Sequence, residues 1–174
     1  MKKIVFFLFI GFVWAAVAGA AIAQAPDLSG EWKLNPGRSD LGEMAAIDPS
    51  ITLSIRQDAG AVVLRKTISV PAKQTVRNFR YTLDGKESLN AGESLKGLKG
   101  TAAFEKGGLI VRSEQEGMTM RISGDDPPEI EYFKYDSVEE FSLSADGRTL
   151  TVVQTGQMPD GPRKTTFVFD KAAA

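Results

Sequence analysis

The stretch Val138–Phe169, VEEFSLSADGRTLTVVQTGQMPDGPRKTTFVF, decides the fold, because it contains three strand patterns and two turn signals and has no helical reading. Phe141 and Leu143 alternate with Ser142 and Ser144, and Asp146-Gly147 supplies a two-residue turn. Leu150 and Val152 then alternate with Thr149, Thr151 and Val153. Pro159-Asp160-Gly161-Pro162 interrupts the ladder, after which Thr165, Phe167 and Phe169 alternate with Thr166 and Val168. Three such segments in sequence read as an antiparallel meander.

The same period of two recurs upstream. Leu28, Trp32 and Leu34 share one face of a first strand that ends at Asn35-Pro36-Gly37, and Leu41 to Pro49 is a candidate short helix or lid. Ile51, Leu53 and Ile55 lead into Asp58-Ala59-Gly60, and Val62, Leu64 and Ile68 return from it. Phe79, Tyr81 and Leu83 alternate on a further strand, with Arg77 on their face, before the Asp84-Gly85 turn. Ser88 to Gly97 reads as a short edge strand or a loop. Leu98, Gly100, Ala102 and Phe104 share a face, and Gly107-Gly108 turns the chain into Leu109 to Glu116. Met118, Met120 and Ile122 read as a separate short strand, Asp125-Asp126-Pro127-Pro128 as a loop, and Ile130 to Tyr135 as one more strand.

After the first two dozen residues no run of ten keeps a helical period, so the class is all-β, with about eight to ten strands in meander order. Such a sheet hides its edges by closing into a barrel or by stacking as a β-sandwich. Short sequential hairpins favour the single antiparallel up-and-down barrel, since a Greek key needs a long crossover.

The N-terminus carries Lys2 and Lys3, an apolar run from Ile4 to about Ala18, and Ala21-Ile22-Ala23, a small-x-small cleavage pattern. The expectation is a signal peptide over residues 1–23, cleaved to leave one domain over 24–174, hence a secreted or periplasmic location. The rival reading is an uncleaved anchor, because Ile4–Ala23 is just long enough to span a bilayer. Without the leader the chain holds 19 basic and 22 acidic residues. That mild acidity, with no basic stripe, argues against a nucleic-acid partner.

The chain has no cysteine and no histidine. Its stability therefore comes from core burial rather than disulfides, and Ser-His-Asp, Cys-His and HExxH chemistries are excluded. Asp125, Asp126 and Glu129 lack the alternating oxygen ligands calcium requires, so no metal is expected. Glu139 and Glu140 point to opposite faces of a strand and cannot act as a glycosidase pair.

Gly30-Glu31-Trp32 on the first strand of a meander resembles the Gly-x-Trp motif that opens lipocalins. The string from Leu28 to Ser39, the segment Tyr81 to Glu87 and the ending Leu143 to Val152 together resemble small exported bacterial lipocalin-like (calycin-type) β-barrel proteins. A Thr-Asp-Tyr turn, the second lipocalin motif, is absent, which favours the looser lipocalin-like group. The resemblance implies that Trp32 plugs one end of the barrel with a basic residue packed across it. Arg163, which has the parity of Phe167 and Phe169, is the candidate for that cation.

In a barrel of about eight strands the interior is either filled or holds one small ligand. Inward parity selects Arg77, Phe79, Tyr81, Phe104, Met120, Glu139, Phe141, Gln154 and Phe167 as candidate ligand-binding residues, with Leu53, Ile55, Leu64, Lys66, Val111, Gln115, Val152 and Phe169 around them. Three functions are compatible with this pattern. The first is a non-enzymatic carrier of a small apolar or amphipathic ligand, without cofactor. The second is a filled barrel that binds a protein partner through its loops. The third, an isomerase-like enzyme using Tyr81 and Glu139, has least support, because no activated nucleophile is visible.

Overall fold

A computed structural model describes residues 25–71, 73–92, 94–121, 129–159 and 161–172. The leader and the Asp125-Asp126-Pro127-Pro128 loop lie outside the described residues. Ten strands form one antiparallel sheet: β1 (Gly30–Leu34), β2 (Ser50–Gln57), β3 (Ala61–Val70), β4 (Lys73–Thr82), β5 (Ser88–Ala91), β6 (Lys96–Glu105), β7 (Gly108–Arg121), β8 (Glu129–Leu143), β9 (Thr149–Met158) and β10 (Gly161–Lys171). The order is β4-β3-β2-β1-β10-β9-β8-β7-β6-β5, so every hairpin pairs sequential strands and the first strand pairs with the last. Trp32 lies opposite Lys171 and Leu34 opposite Phe169 in that pairing. The fold is the expected meander barrel. Among the described residues no helix is long and apolar enough to cross a membrane.

Tight turns set the register. In the β8–β9 hairpin the Asp146 carboxylate accepts from the Ser144 hydroxyl at 2.6 Å and from the Arg148 amide at 3.0 Å, and Gly147 takes the positive φ of 68° that the turn demands. Asp58 closes the β2–β3 turn in the same way, accepting from the amides of Gly60 and Ala61. The stretch Leu41 to Pro49 contains a 3-10 segment, Gly42–Ile47, and the chain before it is tied to β10 by a bridge between Asp40 and Thr166.

Two expectations need correction. Leu109–Glu116 and Met118–Ile122 were expected as separate strands, yet β7 runs unbroken through Gly117; likewise Ile130–Tyr135 and the strand beginning at Val138 are one 15-residue strand, β8. Gly117 is not a break. A Cβ there would run into the Phe133 ring opposite it, so the glycine makes room for the aromatic within a continuous ladder.

Closure is incomplete at one place. β4 and β5 end the hydrogen-bonded order and are joined by side chains instead: the Arg80 amide donates to Asn90 Oδ1 at 2.8 Å and the Thr82 amide to Ser88 Oγ at 3.2 Å. This seam is wedged by Tyr81, which packs against Gly100 of β6.

Candidate functional site in the barrel lumen

Alternation along the strands sends one face of each inward, and the inward set sorts into layers along the barrel axis. At the end where the chain enters, Leu28, Trp32, Ile55, Val62, Leu109, Leu150 and Phe169 are all buried. The Trp32 indole donates to the Leu28 carbonyl at 3.0 Å, which satisfies its only polar group. This end is sealed.

The cation over Trp32 is Lys171, whose Nζ stands 5.2 Å from the ring centre. The expectation of Arg163 there is therefore corrected. Arg163 lies eight residues back along β10, opposite Gly156, at the other end of the barrel. Inward parity could not separate the two, since both belong to the same alternate set.

The middle layer comprises Leu53, Leu64, Lys66, Phe79, Glu139, Phe141, Val152 and Phe167, and encloses about 20 Å³ of free space. That is little more than one water needs. Lys66 lays its ammonium 4.8 Å from the centre of the Phe167 ring. Burial pulls the Lys66 amine below its usual value of 10.5, against the opposing pull of Glu139, while the nearby Arg77 charge acts in the same direction as burial. Burial in turn pushes the Glu139 carboxyl above 4.5, and the Lys66 charge partly offsets this. Around them the Gln115 amide donates to Ser113 Oγ at 2.8 Å and the Gln154 amide to Ser137 Oγ at 3.2 Å. Burial also raises the phenols of Tyr81 and Tyr135 above their usual range.

Above this layer the lumen opens. A cavity of about 370 Å³ lies between the 3-10 segment and the upper parts of β8, β9 and β10, lined by Leu41, Met44, Tyr135, Gln154, Met158, Arg163 and Thr165 among others. Its size falls in the range of small-molecule pockets, and it combines thioether and aliphatic surface with a phenol, an amide and a guanidinium.

Of the residues selected by parity, Phe79, Tyr81, Phe141 and Phe167 meet in the core cluster, with Phe104 packed against it. Glu139 lines the middle layer, and Gln154 and Arg163 line the upper cavity. Met120 falls on β7 opposite Ile130, and its side chain lies outside the described residues. Arg77 sits at the seam. Its guanidinium comes within 3.9 Å of the Glu116 carboxylate, while its Nε is buried without a hydrogen-bond partner. Glu116 accepts from the amides of Ser94 and Leu95, so it also pins the β5–β6 turn. The sequence reading missed Tyr135 and Met158 as cavity residues. Inward parity carried back from Glu139 reaches Tyr135 once β8 is taken as one strand, and from Gln154 it reaches Met158.

The strand order and this interior define a ten-stranded, nearly closed antiparallel meander barrel. No family model matches the chain, and no curated protein matches it by sequence. Among solved structures it resembles the apo form of lipid binding protein 8 from Caenorhabditis elegans, with a TM-score of 0.54 and 16% identity over 86% of this chain and 100% of that one. It likewise resembles zebrafish ileal bile acid-binding protein complexed with cholic acid (TM-score 0.54, 16% identity, 83% and 98% covered). The REP1-NXSQ fatty acid transporter is similar too, with a TM-score of 0.53 and 16% identity over 85% of this chain and 98% of that one.

Proposed function

We propose that this protein is an extracytoplasmic, non-enzymatic binding protein that holds a small apolar or amphipathic ligand in the upper lumen. The observation that carries the reading is the cavity of about 370 Å³ under the 3-10 segment, placed above a sealed and filled lower barrel. Its lining suits such a ligand: Leu41, Met44 and Met158 offer apolar contact, while Tyr135, Gln154 and Arg163 offer polar anchors. The structural neighbours, a fatty acid transporter, a bile acid-binding protein and a lipid binding protein, support it at the level of the fold. Export is supported by Lys2-Lys3, the apolar run and Ala21-Ile22-Ala23.

A ligand that binds only the folded protein raises its stability by mass action, by about 2.7 kcal/mol at a hundredfold excess over Kd. Thermal melts of the delipidated protein with decanoate, cholate and farnesol are expected to show this, and Met158→Trp, which fills the cavity, to abolish it. No shift with any of the three, together with no co-purifying ligand by native mass spectrometry, rejects the proposal. A second reading, a filled barrel that works through its loops, draws on the nearly solid middle layer. It requires that Met158 and Pro162 substitutions abolish capture of a protein partner while Phe79→Ala only destabilises.

A further inference from the structure

The outer face of β2, β3 and β4 carries a group of arginines that the lumen does not use. Register places them together. Arg56 lies opposite Val63, which lies opposite Arg80; in the next row Ser54, Arg65 and Asn78 stand side by side. All three guanidiniums are exposed, and none forms a salt bridge among the described residues. Two acids border the group: Glu31 lines the depression between Arg56 and Arg65 and accepts from the Ser54 hydroxyl, and Asp58, held by the turn amides of Gly60 and Ala61, also feels the Arg80 charge. Between Arg56 and Arg65 the surface is hollowed by a depression of about 420 Å³, floored by Ser54, Thr52, Val63 and Asn78. The cations of β6 and β7 behave differently, Lys99 pairing with Glu87 and Arg112 with Glu105.

The same face presents apolar side chains to solvent. Val76 on β4 is 41% exposed and Leu89 on β5 is 68% exposed. Leu89 lies between Ser88 and Asn90, the two residues that bridge to β4, so it flanks the seam beside Arg80. Guanidiniums without a salt bridge among the described residues therefore gather, in a protein of net charge -1, on the wall that leads to the seam: Arg80 and Leu89 flank it, with Arg65 one strand and Arg56 two strands away.

We propose that this face docks the protein on an anionic phospholipid surface, with Arg56, Arg65 and Arg80 engaging headgroup phosphates and Val76 and Leu89 entering the interfacial zone. The planar guanidinium fork matches phosphate oxygens in pairs, and the Asn78 amide beside Arg65 adds a donor. Basic residues near a negative leaflet add attraction within a Debye length, and shallow aliphatic insertion adds a component that salt does not screen. An acidic protein partner would use the arginines but gain nothing from a lipid-depth apolar contact, which is why the membrane is the occupant chosen.

The test is sedimentation of the purified protein with vesicles of phosphatidylcholine alone and of phosphatidylcholine with 30% phosphatidylglycerol. Binding is expected only to the anionic vesicles and weakens as salt rises. Combined Arg56→Gln, Arg65→Gln and Arg80→Gln is expected to lower partitioning at least tenfold, on the order of several-fold per cation removed. The corresponding Arg→Lys triple retains most binding, which separates loss of charge from loss of fold. Removing equal charge on β7 and the turns across the barrel, with Lys106→Gln, Arg112→Gln and Arg148→Gln, leaves binding within twofold. Leu89→Ser reduces the part that persists at high salt. The proposal is overturned by equal binding to neutral and anionic vesicles, by no binding at all, by equal losses in the two Gln triples, or by full competition from soluble poly-glutamate at high salt.

Discussion

Lys171 stands opposite Trp32 across the strand pair that closes the barrel, its ammonium 5.2 Å from the centre of the ring. The pair joins the first strand of the sheet to the last. Lys171 is exposed, which limits a cation–π interaction to about 0.5–1 kcal/mol. Lys171→Met is expected to lower unfolding stability by that amount in urea titrations followed by circular dichroism. Trp32→Ala, which empties the sealed end and orphans the Leu28 carbonyl, costs about 3–5 kcal/mol.

The seam depends on a close approach. A Cβ at Gly100 would lie 2.6 Å from Tyr81 Cε1 and 2.8 Å from Ser113 Cβ, with the Arg112 carbonyl 3.2 Å away. Gly100→Ala is therefore expected to destabilise by about 1–3 kcal/mol, as overpacking does. Combining it with Tyr81→Ala should recover part of the loss, a non-additivity that a double-mutant cycle measures.

Buried charge in the lumen makes stability depend on pH. The Glu139 carboxyl is raised above 4.5 in the folded state, so just above that pH the folded chain holds a proton that the unfolded chain has released. Stability should then fall as pH climbs from 4.5 toward the raised value, and remain lower beyond it. Lys66 acts at the other end: its amine is pulled below 10.5, so stability is regained as pH rises from that lowered value to 10.5. Glu139→Gln should abolish the loss above 4.5 while drawing the Lys66 amine down further, because the Glu139 charge opposes burial there. Stability measured from pH 4 to pH 8 in both proteins checks the first effect.

Glu116 holds a turn as well as a cation. Its side chain is 1% exposed, accepts from Ser94 N at 2.9 Å and faces Arg77. Charge-assisted hydrogen bonds contribute about 1.5–3 kcal/mol, so Glu116→Gln should raise hydrogen exchange at Ser94 and Leu95 by one to two orders of magnitude. Amides in the β8–β9 pairing should stay protected, and uniform loss across the sheet would show that Glu116 supports the whole fold instead.

Much of the barrel was legible because a strand's period of two survives any tertiary context. Asp58, Asp84 and Asp146 each mark a turn, and the inward set around Phe79, Phe141 and Phe167 follows from alternation alone. What alternation cannot supply is height along the axis. Arg163, Phe167 and Lys171 belong to one alternate series, and only the closure register sets Lys171 at the plug and Arg163 at the mouth. Continuity was hidden for a different reason. Dividing the chain between Glu116 and Met118 misses the continuity because Gly117 has no side chain to carry the alternation past the Phe133 ring opposite it, and with β8 divided, Tyr135 is not followed into the lumen. The pairing of Arg77 with Glu116 joins residues 39 positions apart across a gap in the hydrogen bonding, and no local pattern encodes it.

The side-chain bridges from Asn90 and Ser88 to β4 have a consequence for how copies of the protein treat one another. Two strands that end a sheet ordinarily offer bare amides to any extended chain, and such edges template polymerisation. Here a carboxamide and a hydroxyl occupy the amides of Arg80 and Thr82, so an incoming strand finds those donors already taken. The gap in the ladder is thus guarded against recruiting a neighbour, and Ser88→Ala with Asn90→Ala should promote assembly that grows with concentration, read by sedimentation velocity.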